Sequence, residues 1–240
     1  MAALPAPVAL GSVLIAGATG LVGREAVLAC LQDEAVTEVR ALVRRAVALQ
    51  GVLGPLAAEA SGLTPEQLAR FRPVQVDFQR LGREPAAFQV DTVVCALGTT
   101  IRQAGSQAAF RQVDFDAPLQ IARLAHAQGA RRFLLVSALG ASSSSRLFYN
   151  RVKGELEDAV SAIGFEQFVV AQPSLLDGDR PESRPAERLG LALAKALGCL
   201  IPQSHRPVHV RQVARSLLRE ARMGGAGRRV LTNARMRAMR

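Results

Sequence analysis

The run "VLIAGATGLVGREAV" constrains this chain most, because Gly17, Gly20 and Gly23 fall where a predicted first strand, residues 12–17, hands over to a predicted first helix, residues 21–31. A strand that ends in spaced glycines and turns at once into a helix builds an anion-binding crevice. The first glycine permits the tight turn, the second lets a pyrophosphate approach the backbone, and the third lets helix and strand pack closely, with the phosphates at the helix N-terminus. Thr19, Leu21 and Val22 complete the loop that would contact them. The spacing is GxxGxxG, a variant of GxGxxG, and packing alone also asks for glycine at such junctions; the strand-turn-helix context gives the motif its weight.

The remainder repeats that alternation. Short β-branched and apolar runs, "SVLIAG" (12–17), "TEVRALV" (37–43), "PVQVDF" (73–78), "DTVVCAL" (91–97), "RFLLVSA" (132–138) and "FEQFVVAQP" (165–173), are separated by helix-length segments. Six such strands predict βαβ units and an α/β fold, a doubly wound parallel sheet with helices on both faces. Helices over 118–128 and 151–163 stop at Gly129 and Gly164. An insertion over 46–72 carries a short helix with Thr64 as N-cap and Pro65 in its first turn. A chain of 240 residues, 49% hydrophobic, reads as one domain over 1–240, with 174–240 forming the substrate side and C-terminal part. In that part "DGDRPESRPAERLG" and "LALAKALGCLI" suggest a lid-like segment.

Charge and cysteine usage narrow the class. The net charge is +10, but residues 206–240 hold ten arginines against Glu220 alone, which leaves the first 205 residues nearly neutral. Arg211, Arg215, Arg219 and Arg222 recur at helical spacing opposite Val210, Val213, Ala214, Leu217, Leu218 and Ala221. That is the pattern of a packed helix with a solvated face; an acidic partner is the alternative, and no aromatic interleaves the arginines to stack on bases, so nucleic acid is not the expected partner. Cys30, Cys95 and Cys199 form no CxxC pair, which speaks against a disulfide framework or metal site and for a reducing cytoplasm. The apolar run over 1–23 lacks a basic leader and feeds the glycine loop, and 189–201 is too short and carries Lys195, so a soluble protein with no membrane association is expected.

Two further features point to chemistry. The second strand runs into Arg44 and Arg45 with no acid between Arg40 and Gly54; an arginine there suits a ribose 2′-phosphate, where an acid would suit a 2′-hydroxyl, so NADPH is preferred over NADH. In "FYNRVKGELE" the only tyrosine, Tyr149, precedes Lys153, one of two lysines in a chain with 28 arginines, by one helical turn. Residues i and i+4 share a helix face. A phenol serves as acid or base for carbonyl and alcohol chemistry when a neighbouring ammonium favours its ionised form, and a compact ammonium can also donate to ribose hydroxyls.

The glycine loop together with the YxxxK pair resembles the short-chain dehydrogenase/reductase superfamily over nearly the whole chain. More narrowly, "FLLVSALGASSSSRLFYNRVKGELE" followed by "QPSLLDGDRPESRPAE" is similar to the atypical branch that includes the Tat-interacting protein. The resemblance implies a Rossmann-like domain with Tyr149 moving a proton, Lys153 on the nicotinamide ribose and a serine polarising the substrate oxygen. Ser137, at the end of the fifth strand, is the residue that matches, although Ser142 to Ser145 also lie ahead of Tyr149 and a turn role is an equal alternative. It further implies adenine contacts from Asp77 and Phe78, contacts to the adenosine ribose and phosphates from Ala96, Leu97 and Gly98, and Pro173 on the nicotinamide side.

Other polar residues read more simply. Asp114 and Asp116 precede Pro118 and look like helix initiators, His126 like ordinary surface, and Cys95 like a small core residue. His205 and His209 flank Pro207 near the expected substrate cleft. The expected function is therefore an NADP(H)-dependent oxidoreductase acting on an unknown carbonyl or alcohol. The alternative is an NADPH-binding regulatory protein acting through a protein partner, and a homodimer is compatible with either.

Overall fold

The computed structural model describes residues 7–178 and 205–239. The lid-like segment from 179 to 204, with the "DRPESRP" part of the resemblance and Cys199, lies outside the described residues. Strand β1 (Gly11–Ala16) leads through the glycine loop into helix α1 (Leu21–Gln32) and back to β2 (Val36–Val43). The insertion holds α2 (Leu49–Leu53), a 3-10 segment (Gly54–Gly62) and α3 (Pro65–Ala69), where Thr64 and Gln67 form a reciprocal capping box. Then come β3 (Phe71–Gln75) and β4 (Thr92–Cys95), followed by α4 (Ile101–Ala104), α5 (Gln107–Arg111), a π-helical turn (Gln112–Asp116) and α6 (Ala117–Ala127). The second half continues with β5 (Arg132–Val136), α7 (Phe148–Ser161) and β6 (Gln167–Gln172). A short β7 (Leu176–Asp177) pairs with β8 (Val208–His209), and α8 (Val210–Arg222), β9 (Gly227–Thr232) and α9 (Asn233–Ala238) close the fold.

The main sheet has seven strands in the order β3-β2-β1-β4-β5-β6-β9, and every pairing is parallel. Successive residues of β1 supply both faces: Val13 and Ile15 join the layer under α1 and α8, while Leu14 and Ala16 join the layer with Ile121 of α6 and Leu156 of α7. Burial on both sides explains why the central strands are continuously apolar. The strand order reverses between β1 and β4, so the crevice beyond their carboxyl ends is the place where such a sheet receives a ligand.

Two expectations change. The sheet has a seventh strand, β9, "GRRVLT", which pairs Gly227–Thr232 with Gln167–Gln172. And the arginine tail is charge-matched within the molecule: Arg211 meets Glu25 and Glu59, Arg222 meets Asp33, Arg228 meets Glu157 and Asp158, and Arg229 and Arg235 both meet Glu220. Only Arg215 and Arg219 of the helical stripe fit the exposed, solvated face. Since neighbours in a strand point to opposite faces, Arg228 reaches α7 while Arg229 reaches α8, and β9 is clamped from both layers.

Glu220 is 1% exposed, at 3.0 Å from each of its two arginines, which are 36% and 48% exposed. Glu220→Ala strands those guanidiniums, although their exposure lets water replace part of the loss. A destabilisation of about 3 kcal/mol, roughly 6–12 °C in Tm, is expected by calorimetry, with Glu220→Gln recovering part of it.

Candidate active site

The glycine loop is shaped by backbone contacts that leave no room for side chains. Gly17 adopts φ +83°, and a Cβ there would stand 2.6 Å from the Ala96 carbonyl oxygen; a Cβ on Gly23 would stand 2.0 Å from the Gly17 oxygen. Gly20 N–H donates to the Gly17 carbonyl at 2.9 Å, and the first bond of α1 runs from Arg24 N–H to the Gly20 carbonyl at 3.0 Å. The amides of Leu21, Val22 and Gly23 precede that bond, Gly20 supplies no side-chain cap, and the first turn carries no acid. An uncapped helix start behind an open glycine turn fits a phosphate group. Thr19 and Gly20 are exposed at its lip.

The residues expected around this loop arrive from four strand ends. Ala96 donates its N–H to the Ala16 carbonyl at 2.8 Å, which seats Ala96, Leu97 and Gly98 beside the loop. Arg44 and Arg45 are exposed just past the end of β2, next to β1 in the sheet. Asp77 is exposed and accepts the Gln79 N–H at 2.9 Å, while Phe78 packs partly against the core. Pro173, buried after β6, accepts the Leu139 N–H at 2.8 Å.

Tyr149 and Lys153 lie on α7, and the structure supplies a partner that sequence reading passed over. Lys153 Nζ stands 2.7 Å from Asp114 Oδ1, with side chains 4% and 0% exposed. The contact is a buried ion pair. Burial is the largest influence on Lys153 and opposes its charge, yet the charges of Asp114 and Tyr149 hold its pKa above the ordinary lysine value. The second Asp114 oxygen accepts the Thr99 N–H at 2.8 Å. Asp114 is thus no helix initiator. The helix begins at Gln107, capped by Ser106, and runs through the π turn into α6, so Asp114 and Asp116 are mid-helical. Only the acid type at position 114 hinted at this; an Asp shortly before a proline imitates a cap, and a π turn leaves no sequence signature.

Tyr149 is half-buried, its ring 5.6 Å from that of Phe110. Cys95 ends β4 near Lys153, and burial pushes its thiol up to about 11, which makes it a core residue and no nucleophile. Ser137 has a different engagement from the expected one: its buried hydroxyl donates to the Glu157 carboxylate. Glu157 also accepts from Gln172 at 3.1 Å and from Arg228 at 2.6 Å, so Ser137 belongs to the network that ties α7 to β6 and β9. His209 caps α8, its Nδ1 accepting the Arg211 N–H at 3.2 Å, and His126 rests edge-on against Phe165. Among the described residues no cluster of side chains could hold a metal ion, and no helix is long and apolar enough to cross a membrane.

A doubly wound sheet with this crevice at its switch point defines an NAD(P)-binding protein of the oxidoreductase-like Rossmann class. A family model described as NAD(P)H-binding matches residues 17–186. Protein HTATIP2 of Rattus norvegicus is 36% identical over 179 residues, 74% of this chain and 68% of that protein. Protein fmp52 of Emericella nidulans is 32% identical over 194 residues, 79% of this chain and 77% of that protein. Among solved structures, a short-chain type dehydrogenase/reductase from Mycobacterium ulcerans matches with TM-score 0.67 at 17% identity, covering 94% of this chain and 89% of that one. MoeE5 in complex with UDP-glucose and NAD matches with TM-score 0.63 at 15% identity, covering 92% and 76%. The last two establish the fold alone.

The chain belongs to the NAD(P)H-binding family, in the atypical short-chain dehydrogenase/reductase branch that resembles the Tat-interacting protein. One expectation is overturned here. The cytoplasmic location read from the cysteines does not stand, because the fmp52 relatives of Emericella nidulans, Aspergillus clavatus, Aspergillus fumigatus and Candida albicans are named as mitochondrial proteins. Unpaired cysteines argue against an oxidising compartment and do not choose among reducing ones.

Proposed function

We propose that this protein is an NADP(H)-dependent oxidoreductase that transfers a hydride between nicotinamide and a carbonyl or alcohol carbon. The observation that carries this reading is the buried Lys153 ammonium, one turn after a half-buried phenol and beside the Gly98 end of the glycine-loop crevice. When bound, the cofactor supplies or accepts the hydride. The loop from Gly17 through Gly23 would hold the pyrophosphate, Arg44 and Arg45 the 2′-phosphate, Asp77 and Phe78 the adenine, and Ala96 to Gly98 the adenosine ribose. Lys153 would donate to the nicotinamide ribose, with Pro173 at the nicotinamide side. Tyr149 gives its proton to the substrate oxygen in reduction and takes it back in oxidation.

Oxidation of NADPH by the purified protein against a panel of aldehydes and ketones tests the activity. The cofactor choice has its own test. Replacing both Arg44 and Arg45 by alanine is expected to weaken NADPH binding roughly 10- to 100-fold while NADH stays within about twofold, because a guanidinium-phosphate contact is lost that NADH never makes.

The Ser137 hydroxyl favours a second reading. That hydroxyl is committed to Glu157 and so is not offered to a substrate oxygen beside Tyr149, which suits an NADPH-binding regulatory protein that acts through a partner. Saturable NADPH binding with no cofactor consumed across the panel would select that reading.

A further inference from the structure

We propose that Asp114 is the positioning residue of this site, fixing the Lys153 ammonium at the floor of the cofactor crevice through their buried ion pair. This rests on the NADP(H) reading above and deepens it. A lysine's four-carbon stem provides no orientation by itself. Here orientation comes from outside the helix: Asp114 meets Nζ at 2.7 Å and is itself anchored by the Thr99 amide at 2.8 Å. The segment that carries Asp114 also grips α7 at two other points, with Phe110 against the Tyr149 ring at 5.6 Å and Arg111 at 2.5 Å from Glu155. Asp114 sits inside the π turn, a type of helical irregularity often found at functional sites. On the crevice side the neighbour is Gly98. A Cβ there would stand 3.5 Å from Asp114 Oδ1 and 3.8 Å from Lys153 Nζ, so the missing side chain leaves the pair open to the β4 loop.

The pairing also decides Lys153's protonation. The titratable groups that face it are Asp114 from the π turn, Tyr149 from its own helix and Cys95 from β4. Burial works to remove the proton and the carboxylate works to keep it. Take the carboxylate away and burial is opposed only by weaker influences, so Lys153 should lose its proton at a lower pH and with it a donor for the ribose. The sign is definite: in Asp114→Asn, cofactor affinity falls as pH rises, whereas in the unaltered protein it stays level.

With only two lysines in the chain, lysine labelled with carbon-13 at Cε gives two NMR signals, and Lys153→Met assigns them. The expected result is a Lys153 signal that stays in its ammonium form up to pH 10 in the wild type and titrates at clearly lower pH in Asp114→Asn. In parallel, NADPH fluorescence titrations from pH 7.5 to 9.5, above the second ionisation of the 2′-phosphate, should give a level Kd for the wild type and one that rises about tenfold with pH in Asp114→Asn. The double variant Asp114→Asn/Lys153→Met, which holds no buried charge at either position, should bind about tenfold more weakly than wild type with no pH dependence. It carries the test if Asp114→Asn alone does not fold, and wild-type affinity in it would overturn the proposal. Identical Lys153 titration with and without the carboxylate would overturn it equally. A shifted Lys153 titration in a protein that binds no NADPH would uphold the hold of Asp114 on Lys153 and reject the cofactor reading.

Discussion

Tyr149→Phe is expected to lower kcat about 10³-fold or more while leaving the NADPH Kd within about twofold. The substitution removes one oxygen and keeps the ring, so the contact with Phe110 at 5.6 Å survives and α7 has no reason to move. Lys153 keeps Asp114 at 2.7 Å, so the group proposed to hold the ribose is also untouched. What disappears is the only phenol in the chain, and no other tyrosine can substitute. Turnover on an identified carbonyl, measured by NADPH oxidation, together with a cofactor titration, checks both halves. Full turnover in the phenylalanine variant would remove Tyr149 from the mechanism.

The second large effect concerns the loop. Gly23→Ala places a methyl group 2.0 Å from the Gly17 carbonyl oxygen and 2.9 Å from the Ala18 Cα, and both are backbone atoms that cannot swing aside. Relief requires α1 to move away from β1, which opens the turn that presents the Leu21, Val22 and Gly23 amides. A loss of about 100-fold in NADPH affinity is expected, with a destabilisation of about 3 kcal/mol from overpacking. Gly82→Ala serves as the control. No atom lies within 4 Å of a Cβ built at Gly82, and stability within about 0.5 kcal/mol of wild type is expected by calorimetry.

The central strands were legible in sequence because both faces of a parallel sheet are buried, which writes them as unbroken apolar runs such as "VLIA" and "FLLV". The edges were not. Strand β3 was expected over 73–78 and occupies Phe71–Gln75, with Pro73 tolerated because only one neighbour, β2, pairs with it. Strand β9 carries Arg228 and Arg229 next to its first residue, their charges cancelled by Glu157 and Glu220 on two different helices, and those partners are invisible to any local pattern. The site divides in the same way. Lys153 stood out because lysine is scarce here, and the glycines stood out because backbone sits where their side chains would be. Asp114 did not, since its meaning depends on Lys153, 39 residues later. Ser137 looked free at a strand end, yet its hydroxyl is taken by Glu157, 20 residues away.

The central claim is a crevice that takes NADPH with its 2′-phosphate on Arg44 and Arg45. Side-by-side titration of the unaltered protein with NADPH and NADH tests it most directly. Saturable binding of NADPH, at least tenfold tighter than NADH, is the expected result; failure of both dinucleotides to bind, or tighter binding of NADH, would contradict it.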